Sequence, residues 1–296
     1  MLKFEDKRNL SIDNQVDIKP EYLTHPYISG NKYRKLKYNL YEAKRLKKRT
    51  LLTFGGAFSN HIAAVASAGK EFGFDTVGII RGEELIDRVD TNPTLAFARD
   101  CGMILKFVTR EDFRSKADKH FIAALKNEFD NFYLIPEGGT NALAIKGCEE
   151  ILTKADECYD FVCCSVGTGG TISGLINSAL PHQKILGFPA LKGNFLQEEI
   201  TKFALYENWE LITSYHFGGY AKVTEDLIIF INEFKHSYNI PLDPIYTGKM
   251  MFGIYDLIKK GYFPKHSKIL AIHTGGLQGI EGMNTKLQQQ KKPLIV

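Results

Sequence analysis

Three groups of residues in this chain could do chemistry: a lysine at Lys32, the triplet Ser59-Asn60-His61, and a glycine-rich run Ser165-Val166-Gly167-Thr168-Gly169-Gly170-Thr171-Ile172-Ser173-Gly174. In the run, glycines let backbone N–H groups come close to an anion, and Thr168 and Thr171 add hydroxyl donors. The apolar stretch Tyr159–Cys164 precedes it, and Leu175 to Leu180, stopped by Pro181, follows it. That order reads as strand, turn, helix, with the positive end of a helix facing whatever the turn holds. The run has no G-x-x-x-x-G-K-[ST] and does not space its glycines as G-x-G-x-x-G. Taken alone it is more often plain turn chemistry, with a phosphate site as the alternative.

Lys32 follows Gly30-Asn31, a turn and cap, and precedes the helical pattern Tyr33–Ala43. It therefore falls in the first helical turn, where a cation opposes the dipole. Spacing alone favours a solvated lysine. Ser59 and Asn60 stand where N-cap residues stand, and capping accounts for them. The five cysteines, Cys101, Cys148, Cys158, Cys163 and Cys164, are odd in number and lack C-x-x-C spacing. They argue against a disulfide framework or a zinc site and fit a reducing cytoplasm.

These groups need elements to hold them. From Thr50 to Asn141 the pattern alternates strand and helix: strands at Thr50–Phe54, Thr76–Arg81, Met103–Val108 and Phe132–Pro136, with helices between. Such alternation predicts a parallel sheet with helices on both faces and ligands at the carboxyl ends of its strands. Gly55-Gly56-Ala57-Phe58-Ser59-Asn60 and Glu137-Gly138-Gly139-Thr140-Asn141 are such ends. A second unit starts at the strand before the glycine run. It continues through strands at Ile185–Pro189 and Lys268–His273, helices at Glu225–Phe234 and Met250–Lys260, and the turn Thr274-Gly275-Gly276. An earlier strand is expected at Val16–Lys19, closed by Pro20. The predicted fold class is α/β, two three-layer units with mainly parallel sheets around a cleft. Residues 41–141 form the smaller domain; residues 1–40 and 142–296 form the larger.

Bulk properties exclude several classes. A net charge of +4 over 296 residues is too small to argue for nucleic acid, and the basic run Lys44–Arg49 reads as the solvated end of a helix. No apolar stretch reaches transmembrane length, and Met1–Asp6 lacks the apolar core of a signal peptide. The expectation is a cytoplasmic protein with a small-molecule partner.

Four segments in order resemble one family. Gly30-Asn31-Lys32-Tyr33-Arg34-Lys35-Leu36 resembles its GNKxRKL; Gly55–His61 resembles its GGxxSNx; Ser165–Thr171 resembles its phosphate loop; His273-Thr274-Gly275-Gly276 resembles its C-terminal H-[TL]-G-G. The family is that of 1-aminocyclopropane-1-carboxylate deaminase and D-cysteine desulfhydrase, pyridoxal-phosphate enzymes of the tryptophan synthase β-like fold (fold type II). The resemblance runs from about Val16 to about Gly279. It implies pyridoxal 5'-phosphate as cofactor and a homodimer. Lys32 is implied as the lysine forming the Schiff base, with Lys35 its rival in the motif. Asn60 is implied as partner of the cofactor's phenolic oxygen, and Ser59 as a contact of the substrate carboxylate or its protons. Gly167, Thr168, Gly169, Gly170 and Thr171 would hold the phosphate, and Thr274 would face the ring nitrogen. Tyr220 and Tyr246 resemble the two active-site tyrosines, although each could equally be a core aromatic with a satisfied hydroxyl. His61 and His273 read as packing residues.

In the cyclopropane deaminases an acidic residue follows the second tyrosine and a leucine follows the histidine of HxGG. Here Thr247 and Thr274 stand in those places, hydroxyls expected to face the cofactor as in the desulfhydrase branch. The resemblance thus implies α,β-elimination from a small D-amino acid, giving pyruvate, ammonia and sulfide. Cyclopropane ring opening and β-replacement of the cysteine synthase type are the alternatives. One segment departs from the family pattern: Ile18-Lys19-Pro20-Glu21-Tyr22 replaces the usual Lys-Arg-Glu/Asp-Asp ahead of the lysine.

Overall fold

The computed structural model describes residues 7–193 and 195–296. The absence of a signal-like core at Met1–Asp6 therefore lies outside the described residues. Two sheets carry the fold.

The larger sheet has six strands: β1 (Leu10–Ser11), β2 (Val16–Lys19), β7 (Phe161–Val166), β8 (Lys184–Pro189), β9 (Trp209–Leu211) and β10 (Ile269–Ile272). They lie in the order β1-β2-β10-β7-β8-β9, with β1 antiparallel to β2 and every other pair parallel. The smaller sheet holds β3 (Thr50–Gly55), β4 (Asp75–Arg81), β5 (Met103–Val108) and β6 (Phe132–Ile135) in the order β5-β4-β3-β6, all parallel. Central strands buried on both faces require apolar residues throughout, and Phe161-Val162-Cys163-Cys164 and Ile269-Leu270-Ala271-Ile272 supply them. Cys163 and Cys164 are fully buried free thiols.

Among the described residues ten α-helices cover these sheets. Those of the first half are α1 (Asn31–Arg45), α2 (Asn60–Phe72), α3 (Pro93–Asp100), α4 (Lys119–Phe129) and α5 (Ala142–Cys148). The second half has α6 (Gly170–Ser178), α7 (Phe195–Thr201), α8 (Glu225–Tyr238), α9 (Thr247–Lys259) and α10 (Gly279–Gln289). Local sequence sets their starts. The side chains of Asn92, Asp118, Asn141 and Thr224 each accept from a backbone N–H one turn on. α2 begins at Ser59, whose Oγ accepts from Ile62 N, and stops at Gly73 in the left-handed conformation.

Separate apolar clusters sit against each sheet, one built on Leu227, Ile231, Met250 and Ile254, another on Leu40, Leu51, Ile62 and Leu95. α1 packs on α5 at very short range because Gly147 faces the carbonyl oxygen of Arg34, where any Cβ would lie 2.0 Å from that oxygen. This crossing fixes α1 beside the carboxyl ends of both sheets. Four elements were not expected from sequence, namely β1, β9, α7 and α10. Among the described residues no helix is long and apolar enough to cross a membrane.

Candidate active site

The carboxyl ends of the two sheets face one cavity of about 280 Å³. Lys32, Ser59, Asn60, Gly167, Thr168, Gly169, Thr171, Tyr220, Tyr246 and Thr274 all line it. Gly170 lies behind the wall, where a Cβ would meet Thr140 Oγ1 at 2.8 Å and Lys35 Nζ at 3.1 Å.

Lys32 occupies the first turn of α1, after Gly30 at φ 60°. Its Nζ donates to Asn31 Oδ1 at 2.9 Å, and Asn31 Nδ2 donates to Thr171 Oγ1 at 2.8 Å. Asn31 thus ties the lysine to the glycine loop. The Lys32 side chain keeps some surface open to the cavity while protein surrounds it. That burial, with the nearby Lys35 ammonium, lowers its amine to about 7.

Lys35, one turn further on the same face, points at the loop as well. Its Nζ donates to Gly138 O (2.9 Å), Thr140 Oγ1 (3.1 Å) and Thr168 Oγ1 (3.4 Å). All three acceptors are neutral, and burial pushes the Lys35 amine down. Two desolvated lysines converging on a glycine-rich helix start, with no carboxylate bonded to either amine among the described residues, make a site suited to an anion. A phosphate-bearing aldehyde fits this donor set: the loop, Thr168, Thr171 and Lys35 suit the phosphate, and the Lys32 amine suits the aldehyde. The i, i+3 spacing from Lys32 was the sequence signal for Lys35, available but read only as a rival.

The two tyrosines meet across the opening, ring centroids 6.3 Å apart at 64°. Burial raises the pKa of both, that of Tyr246 more strongly, and holds them as phenols. Tyr246 is placed by a buried aspartate: Asp243 accepts from the backbone N–H groups of Ile245, Tyr246 and Thr247, and from Thr247 Oγ1 at 2.6 Å. This corrects one expectation. The Thr247 hydroxyl is spent on Asp243, fully buried, and does not line the cavity; of the two threonines, Thr274 does. Thr274 Oγ1 lies 3.1 Å from Ser165 Oγ.

Tyr220 rides on a loop in which Phe217, Gly218, Gly219 and Ala221 all have positive φ. A buried lysine that sequence reading passed over holds that loop: Lys249 Nζ donates to His216 O and Gly219 O, both at 2.9 Å. Burial lowers its amine to about 8.

His61 and His273 are both buried and hydrogen-bonded to protein groups, and His61 also lines the cavity. Thr53 Oγ1 gives its one proton to Ile135 O, so His61 Nε2 carries a hydrogen and donates to Thr53 at 2.8 Å. Burial and the two lysines keep His61 neutral. His273 Nε2 donates to Pro241 O at 2.7 Å, while its Nδ1 accepts from Gly275 N.

A strand–loop–helix turn suited to phosphate beside a lowered lysine amine, between two mainly parallel sheets, fits a cofactor enzyme of the pyridoxal-phosphate kind. The family described as pyridoxal-phosphate dependent enzyme matches residues 5–275, and the chain belongs to that family. The bifunctional D-cysteine desulfhydrase/1-aminocyclopropane-1-carboxylate deaminase of Arabidopsis thaliana is 29% identical over 89% of this chain and 72% of its own length. The D-cysteine desulfhydrase of Klebsiella pneumoniae is 26% identical over 90% of this chain and 88% of its own. A crystal structure of a 1-aminocyclopropane-1-carboxylate deaminase homologue superposes with a TM-score of 0.80 at 27% identity, covering 93% of this chain and 88% of that one.

Proposed function

We propose that the enzyme carries out α,β-elimination on a small amino acid, of the D-cysteine desulfhydrase type. The observation that carries this reading is the Lys32 amine, lowered to about 7 and tied through Asn31 to the phosphate loop. When bound, pyridoxal phosphate supplies a conjugated, electron-accepting ring that acidifies the Cα–H of an amino acid joined to it through nitrogen.

The chain's own residues divide the remaining work. The glycine loop with Thr168, Thr171 and Lys35 would hold the phosphate, and Asn60 would bond to the phenolic oxygen. Ser59 and the N-terminus of α2 receive the substrate carboxylate. A base must be deprotonated at working pH; Lys32 meets that condition, whereas both tyrosines stay protonated. Lys32 Nζ therefore takes the α-proton, and Tyr220 or Tyr246 gives a proton to the departing sulfur. Loss of the α-proton and of hydrosulfide leaves an enamine, whose hydrolysis yields pyruvate and ammonia. Thr274, a neutral hydroxyl beside Ser165, is the proposed partner of the ring nitrogen and favours elimination, which asks less of the ring than transamination does.

Ring opening of 1-aminocyclopropane-1-carboxylate is the second reading, favoured by the Arabidopsis relative whose name carries both activities. The test is the visible spectrum of cofactor-loaded protein before and after borohydride, for wild type and Lys32→Ala, followed by pyruvate and sulfide assays. Colour that the reductant bleaches in wild type and that the variant lacks, with sulfide from D-cysteine, is the expected result. A wild-type protein that stays colourless with added cofactor refutes the reading, and 2-oxobutanoate from the cyclopropane substrate with no pyruvate from D-cysteine replaces it with the second.

A further inference from the structure

The cavity is lined by two charged residues that the proposed chemistry does not use, Arg81 and Glu137. Arg81 ends β4 and lines the cavity from the smaller sheet. Its guanidinium lies 5.8 Å from the ring centroid of Phe113. Its Nη2 is 3.7 Å from the point where a Cβ on Gly56 would stand, so the absence of a side chain at Gly56 leaves that approach open. The carboxylates nearby are engaged by other cations: Glu84 accepts from Arg110 at 2.6 Å, and Glu137 lies 3.2 Å from Lys116. Among the described residues Arg81 has no ion pair. Across the opening stands Tyr220, close enough for the Arg81 charge to act on its phenol. A guanidinium has a flat, bidentate donor edge suited to carboxylate, sulfonate or phosphate, and an aromatic face helps to hold its plane.

We infer that Arg81 is a specificity-determining residue that binds an anionic group on the substrate's side chain, so that amino acids carrying a second anion on the β-carbon are preferred over neutral ones of similar size. The inference rests on the proposed use of this cavity as an amino-acid site. The α-carboxylate and the phosphate have their own donors in α2 and the glycine loop, which leaves Arg81 at the mouth for whatever projects outward. For a substrate such as O-phosphoserine the step balances as an elimination: the Cα–H and Cβ–O bonds break, the proton goes to Lys32, phosphate leaves with the electron pair, and water converts the enamine to pyruvate and ammonia. No oxidant or reductant is needed.

The test compares cofactor-loaded wild type, Arg81→Met and Arg81→Lys on matched amino acids of both hands. O-phosphoserine and β-chloroalanine are assayed for pyruvate, and cysteate and alanine for binding by calorimetry. Expected is a loss of about tenfold or more in kcat/KM for O-phosphoserine and in affinity for cysteate in Arg81→Met, as for the loss of one charge-assisted contact. β-Chloroalanine and alanine should stay within about twofold, and Arg81→Lys should recover part of the loss. An equal loss on all four compounds would assign Arg81 to the α-carboxylate and overturn the inference; no loss on any would make it a solvated rim residue and overturn it too. Pyruvate from β-chloroalanine reports on the elimination reading by itself. If it is absent, the calorimetric pair still decides the role of Arg81.

Discussion

Lys32 and Lys35 stand three residues apart on α1, and their amines meet the same glycine loop from two sides, one through Asn31 and Thr171, the other through Thr168. The Lys35 charge makes Lys32 harder to protonate, and Lys32 is held at about 7 by burial and this repulsion. Removing the Lys35 charge should therefore raise the Lys32 pKa. We expect Lys35→Met to move the Lys32 amine alkaline in cofactor-free protein, read by NMR titration of isotopically labelled lysine. The same variant should bind pyridoxal phosphate at least about tenfold more weakly. An unmoved titration would mean that burial alone sets the value.

The same lowered pKa has a consequence for stability. Below about pH 7 the folded, cofactor-free chain carries a Lys32 ammonium that burial disfavours, while the unfolded chain holds its proton up to the ordinary lysine value of 10.5. Between those limits the unfolded state binds more protons, so this group's penalty disappears as pH rises through the window. Lys32→Met should stabilise the cofactor-free protein at pH 7, by up to a few kcal/mol on the order set by the shift, and the gain should shrink by pH 9. Urea unfolding of both proteins at the two pH values checks the sign. A variant less stable than wild type at pH 7 would contradict it.

Lys249 is expected to act through Tyr220. In Lys249→Met the carbonyls of His216 and Gly219 lose their donor, and each buried unsatisfied carbonyl costs about 1–3 kcal/mol. The loop with its run of positive φ should loosen, seen as faster amide exchange at residues 216–221. Turnover should fall about tenfold or more while the bound-cofactor spectrum is unchanged. A spectrum that changes along with turnover would point to a general packing defect instead.

Tyr246 and Tyr220 are both protonated at neutral pH, so phenylalanine at either position removes a proton donor and leaves the ring. We expect Tyr246→Phe to lower kcat by about a hundredfold with little change in KM, within the usual range for a lost acid–base group. Tyr220, which is 40% exposed at the opening, should affect KM as well. Steady-state kinetics on one neutral substrate separate the two.

Much of this was legible in the chain. The alternation of apolar strands with capped helices from Thr50 to Asn141 announces a parallel sheet because that pattern has few other ways to bury itself. The elements that escaped notice are ones with weak local signals. β9 is three half-buried residues at a sheet edge, and β1 only two. α10 has buried positions at Gly279, Gly282, Met283 and Leu287, two of them glycines, so it shows little apolar stripe. Within the cavity, Lys32, the glycine loop and Thr274 carried recognisable neighbours. Lys249 did not, since a lysine that buries itself on two backbone carbonyls leaves no mark in composition or spacing. Thr247 misled for the converse reason. Its place in the motif was right, but the aspartate four residues earlier captures its hydroxyl.

The crossing of Gly30 and Thr274 joins the two ends of the active site. Thr274 O accepts from Asn31 N at 3.2 Å, and a Cβ at Gly30 would fall 2.0 Å from that same oxygen. Gly30 also holds φ 60°, so Gly30→Ala should cost about 3 kcal/mol or more and separate the lysine turn from the C-terminal loop, measurable as a drop in Tm with loss of cofactor uptake. During synthesis the lysine emerges early and the docking partner of its turn 242 residues later. The strands β3 to β6 are all made before residue 160, yet the pocket is incomplete until residue 274 has left the ribosome. Cofactor capture thereby waits on synthesis of Thr274, and a product stopping short of it would leave a nucleophilic lysine without a finished pocket.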